Sequence, residues 1–354
     1  MRISSDNGSG AGTEKIGVGL IGAGLVVQSI HVPVLETLSE LFSIRSVWDV
    51  VPQRAAGTAS RTGAAQAASL ADLLADPAVD VVAICTPAHC HAEQALAAIK
   101  AGKRAVLVEK PLGTNLEEVT ALHDTANAAG TLLMVGSMHL YDAAWRAAQQ
   151  KMDDTDFMPD LVRSQIVLPP NGRFEQWATE PLAPPNPPMG AMTSDQLMRL
   201  CIMELAIHDL PLVRRLLPAG AMPEVRSARF LTPFGYGVTV EAGGVLLELF
   251  GLMHGQWQTD WTLEAIAADA QLHIDFTPSF VPAGSGTMQW TQDNVSTRHP
   301  PASTNGYAGE WRVMAAVLAG QAPKTNASEP FEDFRFAFSI AEQACALISR
   351  EGRP

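Results

Sequence analysis

The chain has 354 residues, 47% of them apolar, and a formal net charge of -13 at pH 7. That length exceeds what one hydrophobic core usually fills, so two domains are expected. The negative balance, without any block rich in Lys or Arg, excludes a general electrostatic grip on nucleic acid or an anionic membrane, while leaving room for a local anion pocket.

Met1 to Glu14 is rich in Gly, Ser and small polar residues and reads as a flexible tail, having too little apolar surface to order itself. Ile16 to Ile21 reads as a buried strand running into Gly22-Ala23-Gly24 and the apolar segment Leu25 to Ile30. Strand, Gly turn and helix in that order form the cradle in which a pyrophosphate rests on a helix N-terminus. Gly22 allows the tight turn, and Gly24 lets the backbone, with Leu25 and Val26 behind it, approach a dinucleotide. The third small position of that fingerprint carries Val27 instead of Gly or Ala. Ser43 to Trp48 reads as the second strand and ends at Asp49, 25 residues beyond Gly24, near the distance at which an acid accepts hydrogen bonds from the adenosine ribose. A carboxylate there repels a 2′-phosphate and favours NAD, while Arg54 nearby keeps NADP open.

An Ala-rich helix with Leu70, Leu73 and Leu74 at helical spacing follows, then a third strand from Val79 to Cys85 that ends in Thr86-Pro87. His89, Cys90 and His91 fall in the loop and first turn of a helix that continues to Ile99. Their spacing matches no structural zinc pattern, so no metal site is assigned, and the loop reads as one wall of a nicotinamide site. Ala105 to Val108, a helix over Leu116 to Ala129, and Thr131 to Val135 complete an alternation that means βαβ units and a parallel sheet.

Val106-Leu107-Val108-Glu109-Lys110-Pro111 stands out within this half. In an open parallel sheet ligands bind past the carboxyl ends of the strands, so Lys110 is placed at the crevice and not in the core. Pro111 has no amide hydrogen and stops the ladder behind it.

Past Ser137 the pattern changes. Tyr141 to Met152 reads as a helix, Leu161 to Leu168 as a strand, and Pro169 to Gly190 as a Pro-rich irregular excursion with Arg173 and Trp177 as residues that could cap a pocket. Met192 to Leu217 reads as one helix broken near Pro211. It carries Glu204 and His208, four apart and therefore on one face, where a carboxylate can hold the imidazole and raise its pKa toward neutrality. An ordinary pair on a solvated face is the plain alternative. From Val225 the chain reads as short strands, Val225–Phe230, Gly237–Glu241, Gly244–Phe250, Gln256–Thr262, Leu263–Ala267 and Gln271–Phe276, followed by helices over Ala308 to Ala319 and Phe331 to Ser349. Strands without long helices between them suggest antiparallel order. No apolar run reaches the length of a membrane span, no leader pattern opens the chain, and Cys85, Cys90, Cys201 and Cys345 are few and lie in apolar or helical contexts. Reduced thiols and a cytoplasmic location are the expectation.

Gly22-Ala23-Gly24, Asp49, the run Cys85 to Ala95 and Glu109-Lys110-Pro111-Leu112 together resemble the Gfo/Idh/MocA oxidoreductase family, the group that contains glucose-fructose oxidoreductase and inositol dehydrogenase. The similarity covers residues 15 to 137. It implies an α/β fold, with a Rossmann NAD(P)-binding domain over 15–137 and, over 138–354, a C-terminal α/β domain with a large, mostly antiparallel open sheet for substrate binding and oligomerisation. The family commonly has Asp-x-x-x-His-Asp where this chain has Glu204-x-x-x-His208-Asp209, so the resemblance implies Lys110, His208 and Glu204 as catalytic residues. It also implies a cofactor site of Gly22, Gly24, Leu25, Val26, Asp49, Arg54, Thr86, Pro87, His91, Glu109 and Lys110. Lys110, His139, Tyr141, His208 and Tyr307 are the candidate substrate contacts.

The function expected from this is hydride transfer between NAD, or NADP, and a secondary alcohol or hemiacetal of a sugar, cyclitol or related polyol. His208 would be the base and Lys110 the hydrogen-bond donor to the reacting oxygen. A homodimer or homotetramer is implied, with no nucleic-acid or membrane partner. Two alternatives are a non-catalytic sensor of NAD and sugar, and a reductase or lyase-like enzyme for a non-sugar substrate.

Overall fold

The computed structural model of the chain describes residues 15–169, 192–255, 259–279, 284–323 and 329–351. The tail over 1–14 and the candidate cap residues Arg173 and Trp177 lie outside them. Two sheets organise the molecule. The first contains β1 (Ile16–Ile21), β2 (Phe42–Trp48), β3 (Ala65–Gln66), β4 (Val81–Ile84), β5 (Ala105–Val108) and β6 (Leu132–Val135) in the order β3-β2-β1-β4-β5-β6. Every pairing is parallel, and the order reverses between β1 and β4. This is a doubly wound sheet whose ligand crevice falls at that switch point. β4, β5 and β6 are buried at all positions, as strands covered by helices on both faces must be.

The helices of this half follow from local chemistry. Residues 52–62 and 70–75 form two helices, α2 (Pro52–Thr62) and α3 (Leu70–Ala75), where the sequence reading placed one. Gly63, at φ +72°, ends the first in the left-handed conformation that suits glycine, and the Ser69 side chain caps the second by accepting from the Asp72 amide. The helix after the Gly turn opens with a widened π turn, Val27–His31, before α1 (Val32–Thr37). That turn puts Val27 and His31 fully into the core. α4 (His91–Lys100) and α5 (Leu116–Ala129) complete the layer.

The second sheet contains β7 (Leu161–Leu168), β8 (Glu224–Leu231), β9 (Phe234–Ala242), β10 (Val245–Met253), β11 (Asp260–Ile266), β12 (Ala270–Asp275), β13 (Thr287–Gln292) and β14 (Val295–His299). Its order is β14-β13-β12-β11-β7-β10-β9-β8, antiparallel except for the β10–β7 pair. Alternation is plain in β11, where every second side chain is buried, so one face packs on the core and the other is left toward solvent. Over the described residues, the two strands read as Gln256–Thr262 and Leu263–Ala267 are replaced by a single strand, β11 (Asp260–Ile266). The hairpin β13–β14, turning on Asp293 and Asn294 with φ of 50° and 62°, was absent from the sequence reading.

α6 (Ala143–Thr155) precedes this sheet. The single helix expected over 192–217 is three pieces: α7 (Ser194–Glu204), a tight turn Ala206–His208, and α8 (Leu210–Arg215). Thr193 and Gln196 form a capping box at its start. The break lies at Leu205 to Asp209, ahead of Pro211, which sits comfortably in the first turn of α8. α9 (Gly306–Leu318) packs against residues 138–141 and α1, and α10 (Pro330–Glu351) packs against α7, β8 and α5, so the final helices touch both halves. Among the described residues no helix is long and apolar enough to cross a membrane.

Candidate active site

β5 ends at Val108, and the following Glu109 and Lys110 line a cavity of about 360 Å³ between the two sheets. Leu25, Val26 and Ile30, on the helix behind the Gly turn, form its second wall. Leu205, His208, Phe234 and Met253 from the other half face them. Lys110 and His208, 98 positions apart in sequence, thus border one space at the carboxyl edge of the parallel sheet.

Lys110 Nζ donates to Glu204 Oε2 at 2.7 Å and to the Glu204 carbonyl at 3.0 Å. This corrects the sequence reading of Glu204 as the partner of His208. α7 ends at Glu204, so the i,i+4 geometry never forms, and the carboxylate turns to the lysine of the other half. The extra methylene of Glu relative to Asp adds reach. His208 Nδ1 is buried without a hydrogen-bond partner among the described residues. Burial, then the charge of Lys110 and the neighbouring His139, hold the His208 imidazole well below the usual histidine range, the reverse of the expected rise. The ring is therefore neutral at neutral pH, with Nδ1 turned into the protein.

The anchored carboxylate beside His208 is Asp209, which the sequence reading left without a role. It is fully buried and accepts from Ser164 Oγ at 2.7 Å and from Trp261 Nε1 at 2.9 and 3.1 Å. His139 Nδ1 lies 3.1 Å from it. Trp261 presents an edge to both imidazoles, with ring centroids 4.6 Å from His139 and 5.5 Å from His208. His139, 4% exposed and stacked on Phe276, therefore does not reach the cavity, and the buried Tyr141 does not line it either; both depart from their assignment as substrate contacts. Tyr307 does line it, and burial, with the charge of Glu109, pushes its phenol up.

The dinucleotide cradle can be tested on its own geometry. Gly22 has φ +94°, and a Cβ there would stand 2.7 Å from the Cys85 carbonyl oxygen; Gly24 has open space where a Cβ would go. The turn is tight at its first glycine and clear at its second, as close approach of a pyrophosphate requires. Asp49 accepts the amides of Ala23 and Val51, each at 2.7 Å, tying the end of β2 to the Gly turn. Arg54 stands half-buried in the first turn of α2. Thr86 Oγ1 donates to Gln94 at 2.6 Å, and Pro87 is exposed on the same loop. His91 departs from its expected place on the nicotinamide wall. It is 1% exposed, with ring nitrogens 2.7 Å from the carbonyls of Thr86 and Pro111, and so clips the Thr-Pro loop to the Lys-Pro loop.

A further chain of groups escaped the sequence reading. His31 Nε2 lies 2.9 Å from Glu109 Oε1, and Trp311 Nε1 lies 3.2 Å from His31 Nδ1. No local pattern announces a contact between residues 280 positions apart. The aromatic residues of α9 were the sole hint.

Residues 16–137 match the model of the oxidoreductase family with an NAD-binding Rossmann fold named for GFO, IDH and MocA. Inositol 2-dehydrogenase 3 of Saccharopolyspora erythraea is 38% identical over 137 residues, 38% of this chain and 40% of its own length. A 1,5-anhydro-D-fructose reductase of Ensifer adhaerens is 30% identical over 218 residues, 59% of this chain and 60% of its own. The chain thus spans about two-fifths to three-fifths of these curated relatives. The solved structure of UDP-N-acetylglucosamine 3-dehydrogenase from Acidithiobacillus ferrooxidans shares the fold across nearly the whole molecule, with a TM-score of 0.74 at 21% identity, covering 94% of this chain and 98% of its own. The Gly turn, Asp49 and the Glu109-Lys110-Pro111 edge all lie within the residues, 16–137, that match the Gfo/Idh/MocA oxidoreductase family model, and the mostly antiparallel sheet behind them completes the fold shared with the solved structure.

Proposed function

We propose that this protein is an NAD(P)-dependent oxidoreductase that moves a hydride between nicotinamide and a secondary alcohol or hemiacetal of a sugar, cyclitol or related polyol. The observation that carries the reading is the convergence of Lys110, from the edge of the parallel sheet, and His208, from the second half, on one cavity beside the Gly-turn helix. The bound dinucleotide supplies the hydride acceptor. His208, neutral in its buried setting, takes the proton of the carbinol oxygen, a contribution of about 10²–10⁴ for a positioned base. Lys110 donates a hydrogen bond to the same oxygen, and Glu204 holds the amine in place. Asp49 favours NAD, with Arg54 as the group through which NADP is accommodated. The polyol class follows the inositol and anhydrofructose activities named for the relatives. Residues 15–137 form the cofactor domain and 138–354 the substrate and assembly domain of a homodimer or homotetramer.

The direct test is NADH absorbance on mixing the protein and NAD with a panel of cyclitols, sugars and sugar acids. Turnover on at least one polyol is expected. Tight dinucleotide binding with no turnover on any member would point instead to a sensor, and NAD retained through purification without net NADH would point to a lyase-like reaction.

A further inference from the structure

The chain of groups behind Lys110 runs in one direction. An indole nitrogen can only donate, so His31 Nδ1 must offer its lone pair to Trp311, and the ring proton sits on Nε2, facing Glu109. A second proton on Nδ1 would face the indole N–H. His31 is fully buried and Trp311 is fixed edge-on against it and against Phe42, so neither ring is free to turn. Gly136, at the end of β6, makes room for the receiving group, since a Cβ there would stand 3.0 Å from the Glu109 carboxylate. Two donors in series therefore aim at Glu109 as an acceptor, which favours its anion. Burial alone would raise this carboxyl, but the His31 hydrogen bond and the positive potential of the neighbouring His31, Lys110 and His91 side chains bring it below the usual range. Its buried neighbour Glu310 goes the other way, pushed well up by burial and by Glu109 itself, so of the two carboxyls the charge rests on Glu109.

Glu109 is not sealed off. Its side chain keeps 13% exposure and borders the cavity. Among the described residues the charged groups lining that cavity are two carboxylates, Glu109 and Glu204, and one ammonium, Lys110, with His208 neutral, which leaves one negative charge in excess among them. An oxidised nicotinamide ring carries one positive charge and a reduced ring none. We propose that Glu109, held as an anion by the Trp311–His31 relay, is a charge partner of the oxidised nicotinamide, so that the site binds the oxidised dinucleotide in preference to the reduced one. This rests on the oxidoreductase reading above and adds to it a positioning role for His31 and Trp311.

The experiment is a pair of dissociation constants, for NAD and for NADH, measured by calorimetry on the full-length protein and on two variants. Glu109→Gln keeps the shape and the acceptor oxygen but removes the charge. Its NAD constant is expected to rise about tenfold or more while the NADH constant moves less than about threefold, a tenfold change corresponding to about 1.4 kcal/mol. Trp311→Phe keeps the aromatic contact and removes the N–H, and is expected to produce a smaller split in the same direction. Equal shifts for both dinucleotides, or none, in Glu109→Gln overturn the proposal and leave Glu109 as scaffolding. Where Glu109→Gln fails to fold, the Trp311→Phe split decides on the same terms. Full-length protein that binds neither dinucleotide overturns the oxidoreductase reading itself, an outcome separate from equal shifts.

Discussion

The two halves of the cavity are built by different means. On the first side Lys110 is placed by backbone: a four-residue strand buried at every position ends one residue before Glu109, and the sheet edge holds Glu109 and Lys110 toward the crevice. On the second side His208 sits on a single turn between two helix pieces, and its surroundings are held by side chains that converge on the buried Asp209. A strand edge tolerates change around it because its geometry comes from the ladder. A turn anchored by one carboxylate depends on that carboxylate.

Lys110→Ala is expected to lower turnover at least about a hundredfold while the protein still binds dinucleotide and keeps a melting temperature near its original value, because the strand that places the residue is untouched. An unchanged rate removes Lys110 from the chemistry. Asp209→Ala, in contrast, is expected to lower both activity and stability, by about 3 kcal/mol or more in denaturant unfolding, since Ser164, Trp261 and His139 lose a shared buried acceptor. Stability within about 0.5 kcal/mol of the original would show that the turn is not held by that network.

The histidine gives a pH signature. With His208 held below the usual range in the folded protein, the unfolded chain binds its proton first as pH falls, so stability contributed by the neutral ring is present above about pH 6.5 and declines below it. The acid limb of the oxidation rate is expected below that value, and His208→Asn is expected to abolish the limb; a limb that survives assigns the base elsewhere. Smallest of all, Asp49→Ala is expected to erode the preference for NAD over NADP by about tenfold or less, read from the ratio of kcat/KM values. An unaltered ratio would mean that Asp49 serves only to tie Ala23 and Val51 together.

The same division governs how much was legible in the sequence. Ile16–Ile21, Ala105–Val108 and Leu116–Ala129 have the bounds read from sequence alone, because strands buried on both faces are unbroken apolar runs and a helix between them has a capping residue, Asn115, at its start. The hairpin β13–β14 was hidden by exposed polar positions along Val295–His299. Its signal was Asp293-Asn294, two residues suited to a tight two-residue turn. Periodicity could place Glu204 and His208 four apart but could not see the chain leave the helix at Leu205. The cause is tertiary: Asp209 is drawn to Ser164 on β7 and Trp261 on β11. The Trp311–His31–Glu109 relay is further still from any local rule.

That relay also constrains how the molecule comes into being. As the parallel sheet emerges from the ribosome, His31 and Phe42 lack the indole that will cover them, because Trp311 follows His31 by 280 positions. Contacts of such sequence separation form late and slowly. A nascent chain holding only the first sheet therefore carries an unfinished patch beside its cofactor helix, and that patch closes once α9 has been translated.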